Sequence, residues 1–498
     1  MSESLALLTD LYQLTMAAGY WQSGAASGPA APEAVFHLTY RKPPFGGGYV
    51  IAAGLAPAID YLRSLRFTPD DVAYLATLTD QGGRPLFATG FLGYLAELKL
   101  ALTVDAVPEG TLVFPHEPLL RVRGPIIHAQ LVETALLTIL NFQSLVATKA
   151  ARIVQAARGA PVLEFGLRRA QGIDGGLSAS RAAYLGGAAA TSNVLAGKQF
   201  GIPVRGTHAH SWVMFHGDEL EAFRAYARAM PGNCTFLVDT YDTLAGVRHA
   251  IMVAQELRTS GYELAGIRLD SGDLAYLSIE ARRLLDAGGF PKARIVASND
   301  LDEHLITSLQ EQGARIDTFG VGTRLVTAFD QPALGGVYKL GATRIPGQPW
   351  RHVIKLSEQP IKISNPGVLG VKRLRRGTGA ATEMVGDIIY DVEAGLSTPL
   401  ALHDIDAPQR APVTPGHDSA SDLLVTYLDA GRLVREPDSL AEARTRAATE
   451  LAQLSPRTRR FLNPQPYPVG LDDTVHARKQ ALVAAARTST AGARDGQR

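Results

Sequence analysis

The sequence predicts an α/β fold in which the middle of the chain forms a (β/α) barrel. From about residue 160 to 325, short apolar runs rich in β-forming residues each end in a polar or glycine-rich cluster, and a helical stretch follows. The clusters are EFGLRR (164–169), GTHAHS (206–211), DTYD (239–242), LDSGD (269–273), SNDLD (298–302) and GVGT (320–323). Such alternation is typical of parallel strands joined by right-handed helical crossovers. Six such units favour a barrel, although a doubly wound open sheet would show the same alternation.

One unit illustrates the pattern that repeats. In residues 274–288, the apolar residues Leu274, Leu277 and Ala281 recur at the spacing of one helix face. Asp273 is suited to cap the start of this helix, and Gly288 is suited to end it. A strand over 294–297 and a further helix then restart the unit.

The flanks of the barrel have a different composition and predict four regions. Residues 1–125 mix helical, strand and turn patterns and are expected to form an N-terminal α/β domain. Residues 126–330 form the barrel domain with the active site, and residues 331–480 supply return strands and a C-terminal helical region. The tail over 481–498, rich in Ala, Arg, Gly, Ser and Thr, is expected to be disordered.

The composition excludes several classes of protein. The 49 Lys and Arg residues balance the 48 Asp and Glu residues, so no overall charge attracts nucleic acid or a membrane surface. Apolar residues make up 46% of the chain, which excludes an intrinsically disordered protein. Cys234 is the only cysteine and the N-terminus has no secretory pattern, so a cytoplasmic protein is expected. The longest apolar stretch, 131–147, contains polar residues and fits a buried helix better than a membrane span.

The GTHAHS cluster places His208 and His210 two residues apart at a predicted strand end. This arrangement is typical of the metal pair in amidohydrolases, because neutral imidazoles are good zinc ligands. A site of that class needs more ligands from other strand ends, and the four later clusters contain no histidine. The sequence therefore disfavours a zinc hydrolase, and leaves chemically active histidines or histidines that are merely hydrogen-bonded at a strand end.

The LDSGD cluster offers two carboxylates at another strand end. Carboxylates there suit Mg²⁺ bound to phosphate oxygens, or hydrogen bonds to the vicinal hydroxyls of a sugar. Asp273 also serves as a helix cap, which leaves Asp270 as the stronger candidate.

The remaining clusters favour an anionic substrate. The small residues of GVGT expose backbone N–H groups, and phosphate commonly binds after the last strands of a barrel. Arg168, Arg169 and Arg268 bring guanidinium groups, which bind carboxylates and phosphates bidentately. Together these features suit a phosphorylated sugar donor better than hydrolysis.

Several long motifs then resemble one family, nicotinate phosphoribosyltransferase. They occur in the family's order from residue 9 to about 340: TDLYQLTMAAGYW, FHLTYRKPPFGGGY, EFGLRRAQGIDGG, TSNVLAG, GTHAHS, IRLDSGDL, VASNDLDE, GVGTRLVT and GGVYKL. The resemblance implies an irregular (β/α) barrel of the type II phosphoribosyltransferase kind, with a flanking N-terminal α/β domain and a C-terminal extension. It also implies a homodimer with shared active sites.

The resemblance further implies a reaction. The family makes nicotinate mononucleotide and pyrophosphate from nicotinate and phosphoribosyl pyrophosphate, and couples this step to ATP hydrolysis through a phosphorylated histidine. Mg²⁺ is expected to arrive with the pyrophosphate group. The chain's small-molecule substrates would therefore be nicotinate, phosphoribosyl pyrophosphate and ATP.

The family's functional residues fall on matching positions of this chain. The phosphorylated histidine falls on His210, whereas His208 occupies a variable position and is expected to be incidental. The implied catalytic residues are His210, Asp270 and Arg268. The implied nicotinate-binding residues are Tyr12, Phe165, Arg168, Asn193, Thr207 and Arg268. The implied phosphoribosyl pyrophosphate-binding residues are Asp270, Asn299, Gly320, Gly322 and Thr323.

Two alternatives remain at this point. Nicotinamide phosphoribosyltransferases, which the chain also resembles, carry an aspartate near the TSNVLAG position, where this chain has Asn193 beside Ser192. The absence of an acidic residue between Thr191 and Gly201 favours nicotinate over nicotinamide. The other alternative is a catalytically silent protein that binds phosphoribosyl pyrophosphate, and the joint presence of His210, Asp270 and Arg268 argues against it.

Overall fold

The computed structural model describes residues 4–25 and 31–495. Its α-helices are α1 (Leu11–Tyr20), α2 (Leu55–Ser64), α3 (Pro69–Ala76), α4 (Thr89–Ala96), α5 (Ile126–Leu131), α6 (Glu133–Ala156), α7 (Ile173–Leu185), α8 (Val194–Phe200), α9 (His210–His216), α10 (Glu219–Ala229), α11 (Thr243–Thr259), α12 (Leu274–Ala287), α13 (Glu303–Glu311), α14 (Thr323–Val326), α15 (Leu440–Gln453) and α16 (Asp473–Asp495). Its strands are β1 (Glu33–Thr39), β2 (Val50–Ile51), β3 (Thr103–Ala106), β4 (Leu112–Val113), β5 (Leu120–Pro125), β6 (Val162–Glu164), β7 (Ala190–Thr191), β8 (Thr235–Leu237), β9 (Gly266–Leu269), β10 (Arg294–Asn299), β11 (Thr318–Val321), β12 (Val337–Arg344), β13 (Arg351–His352), β14 (Leu369–Arg376), β15 (Glu383–Asp391), β16 (His403–Asp404), β17 (Ser419–Asp422), β18 (Val425–Asp429), β19 (Arg432–Leu433) and β20 (Val469–Leu471).

These elements form two compact units. One unit contains residues 1–144 together with 333–498, and the other contains residues 145–332. The N-terminal and C-terminal parts of the sequence thus belong to the same unit. The domain boundaries predicted at residues 125, 330 and 480 stay a prediction.

The second unit is built around a parallel sheet with the strand order β7-β6-β11-β10-β9-β8. Taken as a ring, this order places each strand beside its neighbour in sequence, and the last strand, β11, pairs with the first, β6. A doubly wound sheet would reverse its order partway and would not pair these two strands. No ladder joins β7 to β8 among the described residues, so the ring is interrupted once. The irregular barrel predicted from the sequence is confirmed.

The first unit is built mainly from antiparallel sheets. A seven-stranded sheet has the order β13-β12-β1-β5-β3-β18-β19, and a five-stranded sheet has the order β16-β20-β15-β14-β17. In strand β1, buried and exposed residues do not alternate, because five consecutive residues of the strand are buried. A strand whose two faces are both covered favours such continuous apolar sequence. The predicted flanking α/β structure is therefore present.

The C-terminal tail differs from its prediction. The sequence predicts disorder from residue 481, but helix α16 continues through Asp495, and residues 496–498 lie outside the described residues. The stretch is rich in alanine, which has the highest helix propensity, and it contains no proline. Among the described residues, no helix has the length and apolar character needed to cross a membrane.

Candidate active site

A cleft of about 360 Å³ opens at the carboxyl ends of the barrel strands. Its walls include six of the twelve predicted site residues: Phe165, Arg168, Thr207, His210, Arg268 and Asp270. Each of these residues lies at the end of a strand or in the loop that follows it. The volume is in the range of small-molecule sites, and the carboxyl face of a barrel is where such sites occur.

Arg268, in strand β9, organises the floor of the cleft. Its Nε donates to Ser298 Oγ at 2.7 Å, and its Nη1 donates to Thr207 Oγ1 at 3.2 Å. Its Nη2 donates to Asp270 Oδ1 at 2.9 Å, and Ser298 Oγ donates to the same carboxylate oxygen. Because three side chains, from the ends of β9 and β10 and from the segment before α9, hold the guanidinium, it presents a fixed positive charge. The guanidinium carbon lies 5.7 Å from the centroid of the Phe165 ring, so an aromatic surface lies beside that charge.

His210 begins helix α9 and is held by a residue that the sequence analysis did not name. Its Nε2 lies 3.2 Å from Asp239 Oδ1, and the Asp239 side chain is only 2% exposed, whereas that of His210 is 40% exposed. The other carboxylate oxygen of Asp239 accepts from the Asp270 backbone N–H and from Ser271 Oγ. His210 Nδ1 has no hydrogen bond to any described residue, so the nitrogen opposite Asp239 is the one available for chemistry.

Asp239 could have been found from the sequence. It is the first residue of the DTYD cluster and follows directly after the apolar run that becomes β8. A carboxylate at that position has no helix to cap, since Asp242 caps α11 instead. A strand-end carboxylate without a local structural role was the available signal.

The glycines of GVGT make room for Phe165. A Cβ atom at Gly320 would lie 2.7 Å from the Phe165 ring, and one at Gly322 would lie 3.3 Å from the Phe165 carbonyl oxygen. Glycine is therefore needed at Gly320 so that the aromatic ring can pack there. Thr323 begins helix α14, and Asn299 ends β10 at the exposed face. The phosphate-binding role of these residues stays a prediction.

Asn193 is a predicted site residue that does not line the cleft. It is 2% exposed; its Oδ1 caps helix α8 by accepting from Ala196 N–H at 3.2 Å, and its Nδ2 donates to Ser180 Oγ at 3.2 Å. An Asn at a helix start commonly serves as such a cap. Its neighbour Ser192 lines the cleft instead.

Glu164 anchors the wall of the cleft behind Phe165. It is 1% exposed, and it accepts hydrogen bonds from Gly166 N–H, Ser180 Oγ and Thr191 Oγ1. These contacts tie the end of β6 to helix α7 and to strand β7. Glu164 therefore orients the loop that carries Phe165 and Arg168 rather than meeting a substrate.

Tyr12 lies outside this unit. It belongs to helix α1 of the other compact unit, is 47% exposed, and accepts a hydrogen bond from Gln13 Nε2 at 3.1 Å. Its predicted place over the pyridine ring stays a prediction.

The two histidines of GTHAHS do not converge on one point. His208 Nε2 accepts from Leu237 N–H at 3.2 Å, whereas His210 Nε2 faces Asp239. Within residues 4–25 and 31–495, no group of three or more His, Cys, Asp or Glu side chains is placed to hold a metal ion. A lone pair that accepts an N–H hydrogen bond cannot at the same time bind zinc, so Nε2 of His208 is not a metal ligand in this arrangement.

Comparison with known proteins identifies the family. Residues 7–141 match the model of the nicotinate phosphoribosyltransferase N-terminal domain, residues 161–375 match that of the nicotinate phosphoribosyltransferase family, and residues 371–479 match that of its C-terminal domain. A nicotinate phosphoribosyltransferase of Bacillus subtilis is 43% identical over 97% of this chain and 96% of its own length. The human nicotinate phosphoribosyltransferase is 37% identical over 96% of both chains.

Solved structures agree with the sequence comparison. The crystal structure of human nicotinic acid phosphoribosyltransferase superposes with a TM-score of 0.81 at 34% identity, covering 95% of this chain and 99% of that one. A nicotinate-nucleotide pyrophosphorylase from Pyrococcus furiosus, at 21% identity and a TM-score of 0.66, shares the fold. The family inferred from the motifs is confirmed: the chain belongs to the nicotinate phosphoribosyltransferase family.

Proposed function

We propose that this protein transfers the phosphoribosyl group of phosphoribosyl pyrophosphate to nicotinate, giving nicotinate mononucleotide and pyrophosphate in the salvage of NAD. We further propose that it couples this transfer to ATP hydrolysis through a phosphohistidine at His210. One observation carries the proposal. A single cleft brings together a fixed cation, Arg268, a carboxylate, Asp270, and a histidine that Asp239 holds by one nitrogen.

The nicotinate end of the cleft is assigned to Phe165, Ser192, Thr207 and Arg268. The Phe165 ring offers a stacking surface for the pyridine, and the Arg268 guanidinium beside it attracts a carboxylate. Ser192 can donate a hydrogen bond to that carboxylate. Arg168, an exposed residue of the cleft wall, adds a second positive charge.

The chemical step needs no general base. The pyridine nitrogen attacks the anomeric carbon with its own lone pair, the bond from that carbon to the pyrophosphate oxygen breaks, and pyrophosphate leaves with the electron pair. The protein has to align the two reactants and stabilise charge that develops as they react. Asp270, fixed by Arg268 and Ser298, is placed to hold ribose hydroxyls near the positive charge that develops on the sugar.

The pyrophosphate is assigned to the strand ends around GVGT. Gly322 and Thr323 begin helix α14, and Asn299 ends the neighbouring strand β10. Parallel strands bring their carboxyl ends to one face, where backbone N–H groups and a threonine hydroxyl suit phosphate. Mg²⁺ enters with phosphoribosyl pyrophosphate as part of the substrate, since it prefers phosphate and carboxylate oxygens.

ATP coupling is assigned to His210. Its Nδ1 takes the γ-phosphoryl group as ADP leaves, while Asp239 stabilises the positive charge on the ring through Nε2. Hydrolysis of the phosphohistidine then releases phosphate and drives the transfer forward. Asp239 is joined to the Asp270 N–H, so the two halves of the reaction share one hydrogen-bonded frame.

A homodimer with shared active sites is part of the proposal. Three large apolar side chains lie a few residues after cleft residues in the sequence and are largely exposed in the single chain. They are Ile173, which is 85% exposed, Val194, which is 71% exposed, and Phe215, which is 83% exposed. We propose that these side chains are covered by the second subunit. Tyr12 of the partner subunit would then cover the pyridine. We also propose a cytoplasmic location, because a lone cysteine allows no internal disulfide.

The test is product formation measured by mass spectrometry from nicotinate and phosphoribosyl pyrophosphate with Mg²⁺, with and without ATP. The proposal predicts nicotinate mononucleotide in both cases and faster formation with ATP. Asp270→Ala should abolish the product, whereas Asp286→Ala, at an exposed position of α12, should not. Binding of phosphoribosyl pyrophosphate without any turnover would instead indicate a silent binding protein.

A further inference from the structure

The gap in the barrel between β7 and β8 is bridged by the segment that carries the two histidines. Thr191 N–H, in β7, donates to Pro203 O, and Arg205 N–H donates to Thr191 O, both at 3.0 Å. The segment after residue 202 therefore continues the sheet beyond β7 for a short distance. It then crosses toward β8 without forming a ladder with it.

His208 makes the connection to β8 with its side chain. Strand β8 pairs with β9 on one side, where Val238 N–H donates to Arg268 O. Successive N–H groups of a strand point to opposite sides, so the Leu237 N–H points toward the gap. It donates to His208 Nε2 at 3.2 Å. Leu237 is 1% exposed, and without this acceptor a buried N–H would lose its partner, which is costly.

The surroundings of the His208 ring keep it neutral. The ring is 8% exposed and packs against Tyr226, Phe223 and Phe236, with centroid distances of 5.0, 5.9 and 6.3 Å. Burial, with smaller contributions from the charges of Arg268 and His210, lowers the pKa of His208 to about 4. Only a neutral ring protonated on Nδ1 can accept at Nε2, and Nδ1 lies 3.4 Å from Ala209 O, where it can donate.

The loop that His208 fixes carries two residues of the site. On one side, Thr207 Oγ1 accepts from Arg268 Nη1 and donates to the His208 carbonyl at 3.1 Å. On the other side, two residues along, His210 meets Asp239. A rotation of the His208 ring would shift both contacts, because Thr207 directly precedes His208 and only one residue separates His208 from His210.

We propose that His208 is a positioning residue: its Nε2 closes the interrupted barrel at Leu237 and thereby holds Thr207 and His210 in register with Arg268 and Asp239. The variable position of His208 in the motif suggests that this residue is incidental, whereas the proposal gives it a role in positioning the site. The part of the inference that concerns phosphorylation rests on the proposed ATP coupling, and the part that concerns nicotinate does not.

Two substitutions separate positioning from simple packing. In His208→Gln, the side-chain oxygen can take the place of Nε2 and accept from Leu237 N–H. In His208→Leu, the side chain fills much of the volume but accepts nothing. Both proteins are assayed as the full chain at a temperature well below their measured unfolding midpoints. The readouts are KM and kcat for nicotinate without ATP, and the rate at which ³²P from labelled ATP becomes attached to histidine.

The expected result is a divergence between the two variants. His208→Leu should raise KM for nicotinate and slow histidine phosphorylation, each by roughly tenfold, as expected when one buried hydrogen bond loses its acceptor. In His208→Gln, KM for nicotinate and the rate of histidine phosphorylation should both stay within about threefold of the values for the unchanged protein. Equal losses in both variants, or a lowered unfolding midpoint with unchanged rates in His208→Leu, would overturn the proposal.

Two further observations keep the outcomes distinct. If the unchanged protein incorporates no ³²P, the proposed coupling fails, and the nicotinate KM alone tests the positioning role. If His208→Leu does not fold, ¹⁵N NMR of histidine-labelled unchanged protein decides. A neutral His208 protonated on Nδ1 from pH 5 to 8 is expected, and a ring protonated on Nε2 would contradict the proposal.

Discussion

Arg268 shows how much of the site depends on one side chain. It contacts Thr207, Ser298 and Asp270, which come from the segment before α9 and from the ends of β10 and β9. A lysine could not make these contacts together, because its ammonium is a single point whereas the guanidinium is a planar fork. The arginine therefore fixes geometry as well as supplying charge.

His210 is the residue on which ATP coupling depends. In His210→Ala, stimulation by ATP should disappear while slow transfer without ATP remains, because the nitrogen that accepts phosphate is gone but the nicotinate contacts are intact. The measurement is the rate of nicotinate mononucleotide formation at saturating nicotinate, with and without ATP. His417→Ala, at an exposed loop position, serves as the control and should keep full stimulation. Stimulation that persists in His210→Ala would mean that another residue carries the phosphate.

Ser192, which lines the cleft, is the residue that we propose for substrate choice in place of Asn193. In Ser192→Asp, a carboxylate would face the nicotinate carboxylate, and kcat/KM for nicotinate should fall tenfold or more, at about 1.4 kcal/mol per factor of ten. In Ser192→Asn the new side chain has a size similar to that of aspartate but no charge, so kcat/KM for nicotinate should fall much less. Steady-state kinetics of the two variants make the comparison. If they lose activity equally, steric crowding rather than charge explains the loss.

At the scale of elements, buried neutral histidines hold the edges of strands and loops. His37 Nε2 accepts from Leu369 N–H, His128 Nδ1 accepts from Ala101 N–H, and His208 Nε2 accepts from Leu237 N–H. Burial is the main cause that lowers the pKa of His37 to about 3 and those of His128 and His208 to about 4. In each case the protein uses imidazole as an acceptor for a backbone N–H, and for Leu369 and Leu237 that N–H would otherwise be buried without a partner.

This use of histidine predicts how stability depends on pH. Between pH 6.5 and 4 the unfolded chain binds protons at these histidines and the folded chain does not, so the free energy of unfolding should fall as the pH is lowered through this range. Urea unfolding at pH 7.0, 6.0 and 5.0 measures it. His37→Gln keeps an acceptor without a titrating ring, and its stability should decline less steeply. A stability that is constant or rises from pH 7 to 5 would show that these histidines are not neutral in the folded protein.

Sequence and structure agree on elements more than on particular contacts. The barrel, its strand ends and the helix cap at Asp273 could be predicted, because they follow from local periodicity and capping chemistry. The contacts of Asn193 could not be predicted, since an asparagine serves equally well as a donor to a ligand or as a helix cap. Only the folded structure, which places Ser180 beside Asn193, shows that the side chain points away from the cleft. The role proposed for His208 could not be predicted either, because its partner, Leu237 N–H, lies across a break in the sheet that no local pattern reveals.

For the whole molecule, we propose that two subunits together complete each active site. Tyr12 is far in sequence from the barrel and lies in the other compact unit. Tyr12→Ala and Asp270→Ala subunits should each be inactive alone, but mixing them should restore activity, since a heterodimer then contains one intact site. Activity after subunit exchange, verified by native mass spectrometry, is the measurement. No recovery in spite of demonstrated exchange would place Tyr12 within the site of its own chain.

The expected preference for nicotinate over nicotinamide depends on the charge of Arg268 and on the neutral side chain of Ser192, and it agrees with the family to which the chain belongs. An accepting carboxylate gains a charge-assisted hydrogen bond that an amide does not, worth about 1.5 to 3 kcal/mol, or roughly ten- to hundredfold in rate.

The most direct test offers equal concentrations of nicotinate and nicotinamide to the protein in one reaction with phosphoribosyl pyrophosphate, Mg²⁺ and ATP, and quantifies both mononucleotides by mass spectrometry. At least tenfold more nicotinate mononucleotide than nicotinamide mononucleotide is expected. Comparable amounts of the two products, or an excess of the nicotinamide product, would contradict it.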